Sequence, residues 1–238
     1  MNRNRPLHRT APGLVAAALY LPAAAPALEV NLTETRPYVE VRVGDEDIRV
    51  QRDQDTEATL EGFFAKTSRP CPPFCIHPMT AAPGVETVGE AEIFDFMTGP
   101  MRNGSGLLVD ARTPDWFERR TIPGAVNIPW TTLAEADPAN PEFLRLLETM
   151  GVREGGGGGL LDSIQGLFGD GADTSRWDFS AARELLLFCN GPWCDQSPRA
   201  IEGLLRIGYP AEKLKYYRGG MTMWELFGLT TIPGEPAP

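Results

Sequence analysis

Residues 185–208 read LLLFCNGPWCDQSPRAIEGLLRIG, and this stretch decides the fold. Four consecutive apolar residues at 185–188 are typical of a strand that is buried on both faces of a sheet. Ser197 followed by Pro198 is typical of a helix start, and Gly208 is typical of a helix end. A buried strand that passes through a loop into a helix is half of a parallel β-α-β unit.

The same alternation extends to both sides of this stretch. The sequence predicts a strand at 107–109, a helix from Asn140 to Met150, a strand at 213–217 and a last helix around Trp224. Strands that alternate with helices indicate a parallel sheet covered on both faces. The predicted fold class is therefore a three-layer α/β domain with a central parallel sheet.

The region before this domain has a different composition. Residues 38–52 alternate between apolar and polar side chains around a turn, which predicts a β-hairpin. Residues 56–84 are rich in proline and show no periodicity, which predicts an ordered connector. We predict an N-terminal β-hairpin and Pro-rich appendage at 28–86, and an α/β domain at 87–235 with a Gly-rich insertion at about 153–178.

The first 27 residues have the pattern of a secretory signal peptide. They contain three arginines, a short apolar run at 14–25 and the small-residue triplet Ala25-Pro26-Ala27. We expect cleavage near Ala27 and a periplasmic or secreted protein. The apolar run is too short for a membrane span, which needs about 20 residues.

The charge of the chain excludes some partners. The chain has 22 Lys and Arg against 32 Asp and Glu, and loss of residues 1–27 would change the net charge from −10 to −13. Acidity of this size argues against binding to nucleic acid or to an anionic membrane surface. No cofactor is predicted.

Cys189 is the first candidate for chemistry. It follows the 185–188 strand and precedes a helix start, so loop N–H groups and the positive end of the helix dipole favour its thiolate. In parallel sheets, ligands gather at the carboxyl ends of strands. The alternative is that Cys189 is only a small buried apolar residue.

Residues 87–231 resemble a rhodanese-type sulfurtransferase domain. The resemblance is carried by LLVDAR at 107–112, TIPGAVNIP at 121–129, LLFC at 186–189, LRIGY at 205–209 and YRGGMTMW at 217–224. It implies that Cys189 accepts a sulfane sulfur as a persulfide and passes it to a thiol. It also implies that the cysteine loop binds the substrate; the predicted binding residues are Asn190, Gly191, Pro192, Trp193, Asp195 and Gln196.

Other residues matched by the resemblance receive structural roles, and the loop departs from the family pattern. Asp110 and Arg112 are expected to brace the sheet and the loop. The loop has no Lys or Arg before Arg199, so dianionic thiosulfate should bind poorly unless Arg218 or Arg112 reaches in. Related phosphatases place an Arg six positions after the cysteine, where this chain has Asp195, so phosphatase activity is not expected.

Cys194 is the second predicted catalytic residue. It could attack a persulfide on Cys189, which would leave a disulfide and release sulfide, or the pair could cycle between dithiol and disulfide. The alternatives are a static disulfide or a packed thiol.

Cys71 and Cys75 form a C-x3-C-x-H pattern with His77, for which the residues leave three interpretations open. They are a local disulfide, a redox or sulfur relay with Cys189 and Cys194, and a metal site of unusual spacing. We predict no metal at the active site.

Three classes of function follow. The main hypothesis is an exported rhodanese-like sulfurtransferase, with a sulfur donor and a thiol acceptor as partners. The others are a non-catalytic envelope binding or assembly module and a thiol–disulfide oxidoreductase that uses Cys189 and Cys194. A helix predicted at 160–168 would cover apolar surface or act as a lid. Either this helix or the N-terminal region would contact a protein partner.

Overall fold

The structure is a computed structural model that describes residues 29–155 and 176–235. The predicted signal segment at 1–27 and the predicted helix at 160–168 lie outside the described residues. Among the described helices, none has the length and apolar character needed to cross a membrane.

The described elements alternate between strands and helices along most of the chain. The strands are β1 (Val39–Val43), β2 (Glu46–Val50), β3 (Glu86–Thr87), β4 (Gly106–Asp110), β5 (Val126–Asn127), β6 (Arg153–Glu154), β7 (Trp177–Asp178), β8 (Glu184–Phe188) and β9 (Leu214–Tyr217). The helices are α1 (Glu90–Phe96), α2 (Pro114–Arg119), α3 (Trp130–Glu135), α4 (Pro141–Thr149), α5 (Gln196–Arg206) and α6 (Gly220–Leu226). A π-helical turn at Met97–Met101 and a 3-10 turn at Ala211–Lys213 complete them.

The centre of the molecule is a parallel sheet with the strand order β3-β9-β8-β4-β5. Leu186 of β8 lies opposite Leu108 of β4, and Leu187 lies opposite Tyr216 of β9. The predicted three-layer α/β class is confirmed. The edge strands β3 and β5 have two residues each, too few to produce a periodic pattern in the sequence.

The continuous apolar run of β8 is explained by two separate cores, one on each face of the sheet. Leu185 and Leu187 belong to the core that packs against α4 and α5. Leu186 and Phe188 belong to the core that packs against α1 and α6. Because successive side chains of a strand point to opposite faces, a strand between two cores needs an apolar residue at every position.

The predicted β-hairpin is confirmed as β1 and β2, which pair antiparallel. Its buried side chains Val39, Val41 and Val50 join the core that contains Phe188 and Trp224. The hairpin is therefore packed on the domain and contributes to its hydrophobic core.

The predicted connector contains no helix or strand. We call residues 56–84 the cover, because this segment crosses the loop that contains Cys189 before the chain enters β3. It leaves the hairpin sheet and returns to the edge of the main sheet. Its path is set by the side-chain contacts described below.

Candidate active site

Cys189 lies at the carboxyl end of β8, where the chain leaves the sheet and enters the loop that leads to α5. The start of α6 holds this exit: Met221 N–H donates to the Cys189 carbonyl at 3.0 Å, and Thr222 N–H donates to the Asn190 carbonyl at 2.9 Å. Gly220 has φ +53°, and a Cβ there would lie 2.3 Å from the Cys189 oxygen. The glycine thus allows α6 to approach the cysteine loop closely.

The environment of Cys189 favours the thiolate. Burial alone would raise the pKa of this thiol, since the residue is only 2% exposed. Hydrogen bonds from the Cys194 thiol, the Ser197 hydroxyl and the backbone N–H groups of Ser197 and Gly191 outweigh burial and lower the pKa of Cys189 to about 7. The Ser197 hydroxyl lies 3.1 Å from the Cys189 sulfur. A large fraction of Cys189 is therefore nucleophilic at neutral pH.

Cys194 is the protonated member of the pair. It is a free cysteine like Cys189, and it is 7% exposed. The hydrogen bond with Cys189 is the largest cause that raises the pKa of Cys194, and burial adds to it. The Cys194 sulfur also lies 3.5 Å from Oε1 of Gln196. The predicted catalytic residues Cys189 and Cys194 are thus neighbours in space, with the thiolate on Cys189.

Ser197 was not among the site residues predicted from the sequence, although its place near the start of the helix was predicted. The sequence predicted that Ser197 begins the helix, whereas α5 begins at Gln196 with Asp195 at the N-cap position. Ser197 therefore lies inside the first helical turn, and its hydroxyl donates to a sulfur instead of capping the helix. The sequence spacing alone does not distinguish these two roles.

Asp110 and Arg112 form a buried ion pair that supports the cysteine loop, as the resemblance implied. The Arg112 guanidinium donates to both carboxylate oxygens of Asp110, with Nε at 2.8 Å from Oδ1, and to the Arg120 carbonyl at 2.6 Å. Thr121 donates its hydroxyl to the same carboxylate at 2.8 Å. One Arg112 nitrogen lies 3.5 Å from Oδ1 of Asn190, which links the ion pair to the residue after Cys189.

The arginines that could bind an anionic donor are engaged elsewhere. Arg112 is 1% exposed and held by Asp110. Arg199 pairs with Asp195 at 2.7 Å. Arg218 donates to the His77 carbonyl at 2.8 Å and to the Pro78 carbonyl at 3.1 Å, so it holds the cover. Arg112 and Arg199 are therefore paired with carboxylates, and Arg218 is directed at the cover.

The cover lies directly on the cysteine loop. His77 N–H donates to the Pro192 carbonyl at 3.0 Å, and the Phe74 ring packs against the Trp193 ring with 5.3 Å between centroids. The His77 Nε2 atom is buried and has no hydrogen-bond partner within the described ranges. The cover therefore contacts the loop at Pro192 and Trp193.

An arginine is held between aromatic rings at this contact. The Arg69 guanidinium lies 4.3 Å from the ring centroids of Phe63 and Trp193 and 5.7 Å from that of Phe74. Phe63 also packs on Trp116 of α2 at 4.6 Å. Burial lowers the pKa of Arg69. Cation–π contacts thus join the cover to the active loop, and the aperiodic sequence of the cover carried no signal for them.

Cys71 and Cys75 form a disulfide within the cover. A disulfide leaves no thiolate for a metal, so of the three interpretations the local disulfide and the relay remain. Cys71 is exposed and Cys75 is half-buried. Cys75 follows Phe74 and precedes His77, the two cover residues that contact the cysteine loop.

The residues predicted to bind substrate are distributed around the loop. Asn190 faces Arg112, Gln196 faces Cys194 and Asp195 faces Arg199. The Pro192 carbonyl and the Trp193 ring are in contact with the cover, and Gly191 directs its N–H toward Cys189. Their role in binding a substrate stays a prediction.

A cavity of about 860 Å³ lies between the cover and α2, and its wall contains none of the residues 189–196 of the cysteine loop. Phe63 of the cover, Trp116 of α2, Arg112 and Glu225 form part of its wall. Glu225 pairs with Arg120 at 2.7 Å, and its Oε1 atom is buried without a hydrogen-bond partner in the described part of the chain. The cavity is large enough for a small organic molecule, and it shares Phe63 with the contact that holds Trp193.

The family of the chain follows from a direct match. The model of the rhodanese-like domain family matches residues 97–226, more than half of the chain. The chain belongs to the rhodanese-like domain family, which confirms the resemblance drawn from the motifs. No curated protein matches the chain.

Several solved structures are similar to this chain at low identity. A human single-domain sulfurtransferase has 19% identity and a TM-score of 0.35, with 59% of this chain and 96% of that chain covered. A thiosulfate sulfurtransferase from Pseudomonas aeruginosa has 17% identity and a TM-score of 0.38, with 63% and 21% covered. A rhodanese from E. coli has 17% identity and a TM-score of 0.30, with 54% and 99% covered.

Proposed function

We propose that this protein is a sulfurtransferase that carries sulfane sulfur as a persulfide on Cys189 and delivers it to a thiol acceptor. The observation that carries the proposal is the set of hydrogen-bond donors around the Cys189 sulfur. The Ser197 hydroxyl, the Cys194 thiol and two loop N–H groups converge on one buried atom. The same donors would stabilise the anionic outer sulfur of a persulfide.

The transfer consists of two displacements on sulfur. The Cys189 thiolate attacks the outer sulfur of a donor persulfide, the sulfur–sulfur bond of the donor breaks, and the donor leaves as a thiolate. An acceptor thiolate then attacks the outer sulfur on Cys189 and leaves with it, which restores the Cys189 thiolate. Neither step changes the total number of sulfur–sulfur bonds, so no external oxidant or reductant is needed.

The charge around the loop favours a donor with little negative charge. The nearby arginines are held by Asp110, by Asp195 and by carbonyls of the cover. A dianion such as thiosulfate would then be bound without a direct ion pair from these side chains, which is unfavourable at a buried site. We therefore expect persulfides and short polysulfides to be better donors than thiosulfate.

Cys194 supplies a second outcome for the persulfide. Its thiolate can attack the inner sulfur, the Sγ of Cys189, so that hydrosulfide leaves and a Cys189–Cys194 disulfide forms. The Cys189 sulfur lies 3.5 Å from the Cys194 carbonyl oxygen, so the loop holds the two residues next to each other. Because the pKa of Cys194 is raised, the thiolate is scarce, and transfer to an external thiol is expected to be faster at neutral pH.

The direct test is sulfur uptake by protein that lacks residues 1–27. The protein is incubated with glutathione persulfide, polysulfide or thiosulfate, and its intact mass is measured. We expect an added mass of about 32 Da, one sulfur atom, on Cys189 with the first two donors. Cys194→Ser should keep this adduct and Cys189→Ser should lose it.

The result also separates the rival functions. Absence of an adduct with every donor would contradict the proposal and support a non-catalytic binding or assembly module. A reversible Cys189–Cys194 disulfide that turns over with a dithiol, without any persulfide, would support a thiol–disulfide oxidoreductase.

We also propose that the protein acts in the periplasm or outside the cell, with protein partners at the N-terminal region or the 160–168 segment. The support is the signal-like pattern of residues 1–27 and its small-residue triplet. N-terminal sequencing of protein recovered from the periplasmic fraction should find a start next to Ala27. An uncleaved chain in the cytosol would contradict this proposal.

A further inference from the structure

The molecule has one joined and one free cysteine pair, and they belong to two segments that contact each other. Cys189 and Cys194 are free, whereas Cys71 and Cys75 are joined. The Phe74 ring contacts Trp193, one residue before Cys194, and His77 N–H donates to Pro192. Cys75 therefore lies on the part of the cover that touches the cysteine loop.

The two pairs differ in their access to solvent. Cys189 and Cys194 are only 2% and 7% exposed, so the dithiol of a protein reductant should reach their sulfurs slowly. Cys71 is exposed, and Cys75 is half-buried between the surface and the loop. The cover pair therefore lies between the solvent, where a large external reductant would bind, and the buried pair.

We propose that Cys71 and Cys75 form an electron relay that reduces a Cys189–Cys194 disulfide with electrons from an external protein dithiol. One source of that disulfide is sulfide release from the Cys189 persulfide, and in this respect the relay rests on the proposed function. Chemical oxidation also produces the disulfide, so the relay is testable without any sulfur donor.

The exchange balances without a further reactant. The external dithiol attacks Cys71, opens the cover disulfide and leaves with a disulfide of its own, so both cover cysteines become thiols. The Cys75 thiolate then attacks Cys194, the Cys189–Cys194 bond breaks, and Cys189 leaves as a thiolate. Cys71 next attacks Cys75, which closes the cover disulfide and releases Cys194. The two protons lost by the cover thiols are taken up by the loop thiols.

The direction of the relay follows from the hydrogen bonds at Cys189. The Ser197 hydroxyl and the loop N–H groups stabilise the Cys189 thiolate, and so stabilise the reduced form of the loop pair. Of two disulfides, the one whose dithiol form is more stabilised is the stronger oxidant and takes electrons from the other. We therefore expect electrons to pass from the cover pair to the loop pair.

The order of attack follows from the same contacts. A thiol with a lower pKa is the better leaving group in disulfide exchange, so attack on Cys194 with departure of Cys189 is favoured over the reverse. Cys75 is the attacking residue because it is the cover cysteine next to the contacts with Pro192 and Trp193. Cys71 is left free on the exposed side to resolve the mixed disulfide.

The test begins with protein whose thiols have been oxidised with diamide. Reduced thioredoxin serves as the protein dithiol, and the return of the Cys189 thiol is followed by alkylation and peptide mass. We expect the double variant Cys71→Ser/Cys75→Ser to recover its Cys189 thiol at least about tenfold more slowly than the wild type. A small monothiol in excess should reduce both proteins at similar rates, which shows that the loop disulfide of the variant is intact and reducible.

The single variants identify the attacking residue. With thioredoxin absent and the loop pair oxidised, Cys71→Ser should accumulate a disulfide between Cys75 and Cys194, because the resolving thiol is missing. Cys75→Ser is the matched control and should accumulate less of a Cys71 linkage.

Two results would overturn the relay. One is equal recovery of the wild type and the double variant with thioredoxin. The other is failure of diamide to join Cys189 and Cys194 in protein that remains folded by circular dichroism. Neither result depends on a persulfide, so failure of the sulfurtransferase proposal is a separate observation.

Discussion

The cysteine loop and the cover are held in place by different kinds of interaction. The loop is positioned by regular structure, because β8 delivers Cys189 to the sheet edge and α5 begins seven residues later. The cover contains no helix or strand and is held by side chains, with Arg69 between Phe63 and Trp193 and Arg218 on two of its carbonyls. The loop should therefore be rigid on its scaffold, whereas the cover should open locally at a modest cost in free energy.

The largest effect is expected where the loop depends on a buried charge. Arg112→Met would leave the Asp110 carboxylate buried without its ionic partner, so the free energy of unfolding should fall by about 3–5 kcal/mol. Urea denaturation followed by circular dichroism measures this loss.

The control is the double variant Asp110→Asn/Arg112→Met, which removes both charges and should recover part of the stability. A loss below about 1 kcal/mol in the single variant would show that the ion pair does not support the loop.

The next effect concerns the reactivity of Cys189. In the wild type, the rate of Cys189 alkylation should rise with pH through a midpoint near 7, because the thiolate is the reactive form. Ser197→Ala removes one hydrogen bond to the thiolate and raises the pKa of Cys189. The alkylation rate at pH 7 should then fall roughly five- to tenfold.

Ser180→Ala, an exposed position remote from the loop, should leave the midpoint unchanged. The role assigned to Ser197 would be wrong if its variant kept the wild-type pH profile.

A smaller effect is expected from loosening the cover. Arg69→Ala removes the cation between Phe63 and Trp193, a loss of about 1–2 kcal/mol in the local contact. Labelling of Cys189 by a bulky maleimide should accelerate roughly threefold, with little change in the chemistry of the thiol.

Arg49→Ala is a matched control, because Arg49 makes the same kind of contact with Tyr38 on the hairpin, 4.1 Å from the ring centroid. Equal acceleration in both variants would mean that the cover does not limit access to the loop.

The smallest effect is expected from Arg218→Met. It removes two hydrogen bonds to cover carbonyls and should cost about 1 kcal/mol, with at most a twofold rise in Cys189 labelling. The variant should take up sulfur from polysulfide and from thiosulfate in the wild-type ratio.

Lys215→Met removes a neighbouring charge of β9 that pairs with Glu86 and serves as the control. A selective loss of thiosulfate uptake in Arg218→Met would show that Arg218 binds the donor instead of holding the cover.

Much of the fold was predictable because its signals are local. The run 185–188 predicted a doubly buried strand, Asn140 predicted the start of α4, and the alternation at 38–52 predicted the hairpin. The two-residue strands β3 and β5 were not predictable, since their pairing with β9 and β4 depends on the geometry of the completed sheet. That the hairpin side chain Val41 packs in the same core as Trp224 was not predictable either, since it depends on a contact between distant segments.

The sequence by itself determined the make-up of the candidate site: a cysteine between a buried strand and a helix, a second cysteine five residues later, and a loop without cationic side chains. These features are local, because strand exits, helix starts and loop composition are set by neighbouring residues. Only the tertiary structure decided that Cys71 and Cys75 are joined, that Ser197 donates to the nucleophile, and that the cover lies on Trp193. The contact of the cover with Trp193 joins segments more than a hundred residues apart, and the role of Ser197 depends on the side-chain direction within one helical turn. Cys71 and Cys75 are only four residues apart, but the sequence pattern fits a disulfide, a relay or a metal site equally, and only the folded loop selects the disulfide.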